Sequence, residues 1–194
     1  KIVAYFLTNP KLSSSQCGIL IAVSGGADSM ALLYCLQALK SADIISKQLY
    51  CAHINHQLRH DADSDEQFVI LQAKKLNIPV ISKRLDIKIF ARDNKLSIET
   101  AARKLRIDSL IEIASQNNCN WIATGHQKND NAETVIHRLL RGTGFRGLAG
   151  IWPVRKFNEN VSFIRPLLCV TRDEIIQYLQ KKNLTWHEDY TNAE

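Results

Sequence analysis

The chain has 194 residues, 45% of them apolar, which is enough for one sizeable core and excludes a disordered or collagen-like chain. Its 25 basic and 19 acidic residues leave a formal charge of +6, a balance that suits an anionic partner such as nucleic acid or ATP without singling one out. No apolar run approaches the roughly 20 residues that span a bilayer, and no secretory leader pattern stands at the start. Five widely spaced cysteines with no CxxC pair point to a reduced, cytoplasmic protein rather than a disulfide or zinc framework.

In chain order, residues 19–23 (ILIAV) read as a fully buried strand that ends at a Ser-Gly-Gly turn, and residues 28–40 as a helix. A second strand is expected over 48–54. An amphipathic stretch follows over 62–76, with Phe68, Val69, Leu71, Ala73 and Leu76 on its apolar side. Residues 78–85 give a third strand. A long helix runs from about Ser97, its N-cap, to Ser115. Residues 120–125 form a fourth strand and 129–140 a helix stopped by Gly142 and Gly144. Ala132, Val135, Ile136, Leu139 and Leu140 are expected to be that helix's buried face. Strands alternating with helices imply an α/β fold, a doubly wound and mostly parallel sheet. Beyond residue 150 the pattern changes to a β-hairpin, 151–157 and 161–167, then a helix capped by Thr171 and running to about Lys182. Residues 1–194 are read as one domain, with 183–194 beginning a linker to further C-terminal domains.

Two segments carry chemistry. Ala22-Val23-Ser24-Gly25-Gly26-Ala27-Asp28-Ser29 joins a buried strand to a helix. Its glycines allow a tight turn and close ligand approach, its serines add hydroxyls, and the helix end adds free N–H groups and a positive dipole. That is a phosphate cradle; the plain alternative is a strand-to-helix turn with Asp28 as a helix cap. It is no Walker A loop, since no GK[ST] follows, and it lacks the third glycine of a dinucleotide fingerprint. The second segment, Ala123 to Thr134, places Asp130 and Glu133 one turn apart on a helix. The pair suits a cation, metal or ammonium; equally, acidic residues in a first turn complement the helix dipole. If the fourth strand lies beside the first, Asp28, His126, Asp130 and Glu133 converge on one crevice at the switch point of the sheet.

The SGGADS loop resembles the SGGxDS loop of the PP-loop ATP pyrophosphatases, which implies a nucleotide-binding α/β fold that splits ATP between its α and β phosphates. Five further motifs occur in order: HINHQLR (53–59), SIETAARKLR (97–106), TGHQKNDNAET (124–134), RGTGFRGLAGI (141–151) and IRPLL (164–168). Together with the ending HEDYTN they resemble the tRNA(Ile)-lysidine synthetase family over nearly the whole chain. Asn129 and Asn131 depart from that pattern, standing where many members have Asp and Gln.

The resemblance implies ligation of free L-lysine to the wobble cytidine of an isoleucine tRNA with a CAU anticodon, using ATP and Mg²⁺. Ser24, Gly25, Gly26, Ala27, Asp28 and Ser29 would bind the ATP phosphates, with Asp28 also a metal or lysine ligand. Asp130 and Glu133 would hold lysine, and His126 would contact phosphate or orient the nucleophile. Arg103, Arg106 and Arg141 are candidate phosphate contacts or solvated helix-face arginines. His53, His56 and Arg59 belong to the adenosine or tRNA side, or to an ordinary loop. No membrane attachment is expected, and a homodimer is compatible with the reading, although the sequence does not fix the oligomeric state. Two other readings stand beside this one. A tRNA thiolase would want a CxxC pair or a dedicated cysteine, and a non-catalytic nucleotide- or RNA-binding module would not need the carboxylates.

Overall fold

A computed structural model describes residues 17–58 and 61–187, with Phe145 and Arg146 described in backbone alone. Strand β1 (Gly18–Ala22) leads through the Ser24–Gly26 turn into helix α1 (Ala27–Ser41). Next come β2 (Leu49–Asn55), α2 (Ala62–Lys75), β3 (Val80–Arg84), α3 (Ile87–Asp93), α4 (Ile98–Gln116) and β4 (Cys119–Ala123). The chain continues with α5 (Lys128–Leu140), a short α6 (Phe145–Leu148), β5 (Val154–Lys156), β6 (Ser162–Ile164), a 3₁₀ turn (Pro166–Cys169) and α7 (Arg172–Lys181).

The sheet has six strands in the order β3-β2-β1-β4-β6-β5. All neighbours run parallel except β5 and β6, the expected hairpin. The hairpin is not an appendage: β6 pairs with β4 through Trp121↔Ser162 and Ala123↔Ile164 and extends the main sheet. The order reverses between β1 and β4, so a crevice opens beyond their C-terminal ends.

Both faces of the sheet are covered, which explains the unbroken apolar run of β1. Ile19, Ile21 and Val23 join one core with Met30 and Leu33 of α1, Val69 of α2 and Leu179 of α7. Leu20 points the other way, into a core with Leu110, Ile113 and Ala114 of α4. The period of two places alternate residues on opposite faces. Burying a side chain such as Leu33 contributes about 1.5–3 kcal/mol, so these two cores set the stability of the domain. Ser97 caps α4 as expected, its Oγ accepting from Thr100 N–H at 3.2 Å. Thr171 caps α7 in a capping box with Glu174.

Two elements escaped the periodicity. Helix α3 is a seven-residue piece whose cap, Asp86 Oδ1, accepts from Ile89 N–H at 2.9 Å. It buries Ile87 and Ala91 in a small core with Leu85 and Ala101. The four-residue α6 is too short to show a pattern.

The expected buried face of α5 is not buried. Ala132 is exposed, Val135 is half-buried, and Ile136, Leu139 and Leu140 are 59%, 59% and 80% exposed. No residue of α5 is buried, because the helix lies against the 3₁₀ turn and α6 instead of across the sheet. Leu71 of α2 is likewise 53% exposed, at the margin of its apolar stripe.

Candidate active site

Beyond the C-terminal ends of β1, β2 and β4 lies an open cavity of about 910 Å³. Ser24, Asp28 and Ser29 of the glycine turn line it, as do His126, Asp130 and Glu133. The convergence expected from neighbouring first and fourth strands is therefore present. Arg103 and Arg106, one turn apart on α4, form part of the wall, while Arg141, exposed at the C-cap of α5, is not among the lining residues. His53 and His56 line the β2 side. Arg59 lies outside the described residues, as do residues 188–194 of the expected linker.

The turn is organised from within by Ser29. Its Oγ accepts from Ser24 N–H at 3.1 Å and Gly25 N–H at 3.2 Å, and donates to Gly26 O at 2.9 Å. The two glycines differ. Gly25 has φ +103°, a conformation that L side chains rarely adopt. Gly26 has an ordinary φ of −71°, and a Cβ there would meet only Ser24 Oγ, at 3.7 Å. Its small size leaves space in front of the loop rather than relieving the backbone. Gly125 serves packing: a Cβ would stand 3.1 Å from Asp28 C and Ser29 N, so only glycine lets this loop lie against the start of α1.

His53 is 4% exposed, and its Nδ1 lies 2.9 Å from Val23 O, pinning the end of β1 just before the turn. Burial pushes its imidazole below the usual histidine range, opposed by that hydrogen bond. His126 Nδ1 lies 2.9 Å from Thr124 Oγ1. Burial, reinforced by Arg165, pushes His126 down to about 4 against the opposing Asp130; Arg106 and Arg103 add to the depression. A histidine held neutral by burial among arginines marks positive potential, the environment an anion seeks.

Asp28 is held above the usual carboxylate range by burial, with Arg172 opposing the shift. Arg172 Nη1 sits 2.6 Å from Asp28 Oδ1, and Asn129 Oδ1 accepts from the Arg172 backbone N–H at 3.3 Å. Asn129 thus joins α5 to α7 as a hydrogen-bonding residue, where no charge is needed. Asn131 acts in a comparable way, its Oδ1 accepting from Ile151 N–H at 2.6 Å. Arg138 Nη1 donates to Gly147 O and Gly150 O at 3.1 and 3.0 Å, so this arginine is committed to the 142–151 loop.

Asp130 is partly a helix-end residue. Its Oδ2 accepts from Gln127 N–H at 2.9 Å within a capping box. Glu133 is exposed and stands outside that cap. Arg172 and Trp152 do not stand out in the sequence as site residues, and Arg165 does so only as part of IRPLL. Arg165 lines the cavity and donates to Trp152 O at 2.6 Å, and Trp152, 61% exposed, lines it too. The IRPLL motif was the available signal for Arg165; nothing local distinguishes Arg172 from a surface arginine.

Mg²⁺ is tested by the donors present. No group of three or more His, Cys, Asp or Glu suited to a metal occurs among the described residues. Two half-buried carboxylates line the cavity beside the phosphate turn, Asp28, paired with Arg172, and Asp65, paired with His187. That fits a cation that takes one or two carboxylates and completes its shell with water and substrate phosphates.

A strand–SGGADS–helix turn stands at the switch point of the sheet, with a cationic wall opposite. The PP-loop domain model matches residues 2–194. The chain belongs to the PP-loop domain family. Its relatives include the tRNA(Ile)-lysidine synthases of Petrotoga mobilis, 38% identical over 99% of this chain and 60% of that protein, and of Chlorobaculum tepidum, 43% identical over 94% and 53%. The chain spans about 40–60% of the length of such relatives. Among solved structures, this PP-loop domain is similar to the U34-tRNA thiolase NcsA of Methanococcus maripaludis, with a TM-score of 0.78, 19% identity and coverage of 96% of this chain and 63% of that one. The NH3-dependent NAD synthetase of Campylobacter jejuni matches with a TM-score of 0.62, 18% identity and coverage of 94% and 71%. At these identities the likeness concerns the fold.

Proposed function

We propose that this PP-loop domain catalyses ATP-dependent ligation of free lysine to C2 of the wobble cytidine of an isoleucine tRNA with a CAU anticodon, giving lysidine. The observation that carries the reading is one cavity that joins a phosphate turn, an arginine wall and a carboxylate pair. The lysidine synthase relatives support it at 38–43% identity.

The chemistry follows from the leaving group. A carbonyl oxygen on a pyrimidine departs poorly. Attack of the cytidine O2 on the α-phosphorus of ATP expels pyrophosphate and leaves an adenylated base. The lysine ε-amine then attacks C2, a proton is lost, and AMP leaves. Ser24, Gly25, Gly26, Ala27 and Ser29 hold the phosphates, and Arg103, Arg106 and Arg165 offset developing negative charge. Asp28, together with the ATP phosphates, would hold Mg²⁺, which would supply charge neutralisation. Asp130 and Glu133 hold the lysine ammonium, and neutral His126 contacts phosphate or orients the amine. Keeping three reactants in line is a large part of the rate gain. A cytoplasmic location accompanies this reading, and a homodimer is compatible with it.

Sulfur transfer is disfavoured by the cavity lining. None of Cys17, Cys35, Cys51, Cys119 and Cys169 lines it, and burial pushes Cys51 and Cys119 up to about 12. The test is mass spectrometry of the tRNA anticodon fragment after incubation with ATP, Mg²⁺ and lysine. A lysine-dependent mass gain at the wobble cytidine is expected; a sulfur mass shift or an unmodified base refutes the reading.

A further inference from the structure

Past α7 the chain turns back onto the phosphate turn. Leu184 and Trp186 pack against the core on the α1 side, and Tyr34 Oη donates to Thr185 O at 3.1 Å. His187 N–H donates to Gly25 O at 3.0 Å, and a parallel β-bridge pairs His187 with Gly26. The His187 imidazole is anchored twice on α2. Its Nδ1 lies 2.7 Å from Asp65 Oδ1, and its ring stacks on Phe68 with centroids 4.1 Å apart and 23° between planes.

We propose that residues 184–187 form a strap that holds the phosphate turn ready for the phosphates of ATP, with His187 as its positioning residue; this rests on the turn being the ATP site. Two adjacent glycines give the turn more freedom than any other pair would. Ser29 restrains it from inside; the strap restrains it from behind. A trans peptide points its C=O and following N–H in opposite directions. Fixing Gly25 O against His187 therefore turns the Gly26 N–H away from the strap, as a donor for phosphate. Donors ordered before binding spare the ligand that ordering cost. His187, like Gly25 and Gly26, is absent from the residues that line the cavity, whereas its anchor Asp65 lines it; His187 acts through the backbone of the turn, whose members Ser24, Asp28 and Ser29 do line it.

The test is the ATP dissociation constant of the full chain by calorimetry, with AMP release measured at saturating ATP. His187→Ala is expected to weaken ATP binding about 5- to 20-fold, less than the full loss of a hydrogen bond to a carboxylate because the effect reaches ATP only through the turn, with maximal AMP release within about twofold. His187→Asn, whose Nδ2 takes the place of Nδ1, should recover most of the loss. Phe68→Leu, which removes the stack but keeps the apolar contact, should weaken binding about threefold. ATP affinity at the wild-type level in both His187→Ala and Phe68→Leu overturns the strap. A wild-type protein that binds no ATP overturns the strap together with the phosphate-site reading. ATP binding that depends on His187 without lysidine formation supports the strap and refutes only the proposed reaction.

Discussion

His126 and the two glycines carry most of what single residues decide here. The folded His126 lies at about 4, below the unfolded value of about 6.5. Its neutral form therefore favours the folded state above about pH 6.5, and that contribution is lost as pH falls through the folded value. Nitrogen-detected NMR should show His126 unprotonated from pH 8 down to 5. Stability should fall less steeply between pH 6.5 and 4 in His126→Asn than in the wild type. Gly25→Ala forces a side chain to φ +103° and should cost at least about 1 kcal/mol in a denaturant titration. Gly26→Ala, with room for its Cβ, should hold stability within about 0.5 kcal/mol while impairing ATP use. Gly26→Val should abolish pyrophosphate release, because the branched side chain fills the space before the loop.

At the scale of elements, α5 has two roles. Its N-terminus presents Asp130 and Glu133 to the cavity, and its flank holds the 142–151 loop through Asn131 and Arg138. The capping role of Asp130 makes the two carboxylates unequal as probes. Glu133→Gln leaves the cap untouched and should raise the lysine requirement about 10- to 100-fold at unchanged melting temperature, the scale of one lost charge-assisted hydrogen bond. Asp130→Asn should affect lysine use and also weaken the helix start, by up to about 1 kcal/mol. The measurement is lysine-dependent AMP release beside thermal unfolding. If Glu133→Gln keeps the wild-type lysine response, the carboxylates are helix-end features and lysine binds elsewhere.

For the whole molecule, charge placement matters more than the net +6. Arg103, Arg106, Arg138, Arg155 and Arg165 all line the cavity, but Arg138 is engaged with loop carbonyls, which leaves four. Four contacts to single-stranded RNA phosphates would give log K against log salt a slope of about −3, or a loss of about 50-fold in tRNA affinity between about 50 and 200 mM salt. A flat response in a filter-binding assay would show that this wall does not meet RNA phosphate.

Much of the fold was legible because local chemistry repeats. An unbroken apolar run marks β1, a side-chain cap marks α4 at Ser97, and the Ser-Gly-Gly turn marks the phosphate site without reference to distant residues. These features depend on neighbours within a few positions, so the order of residues is enough to specify them. The remainder comes from packing between distant segments. Periodicity shows that Ile136, Leu139 and Leu140 share a face of α5, but whether that face is covered depends on where the helix packs. The Asp28–Arg172 ion pair, the insertion of β6 beside β4, and the return of His187 to Gly25 all join residues far apart in the chain. Their partners are chosen by strand order and helix packing, which no local pattern encodes.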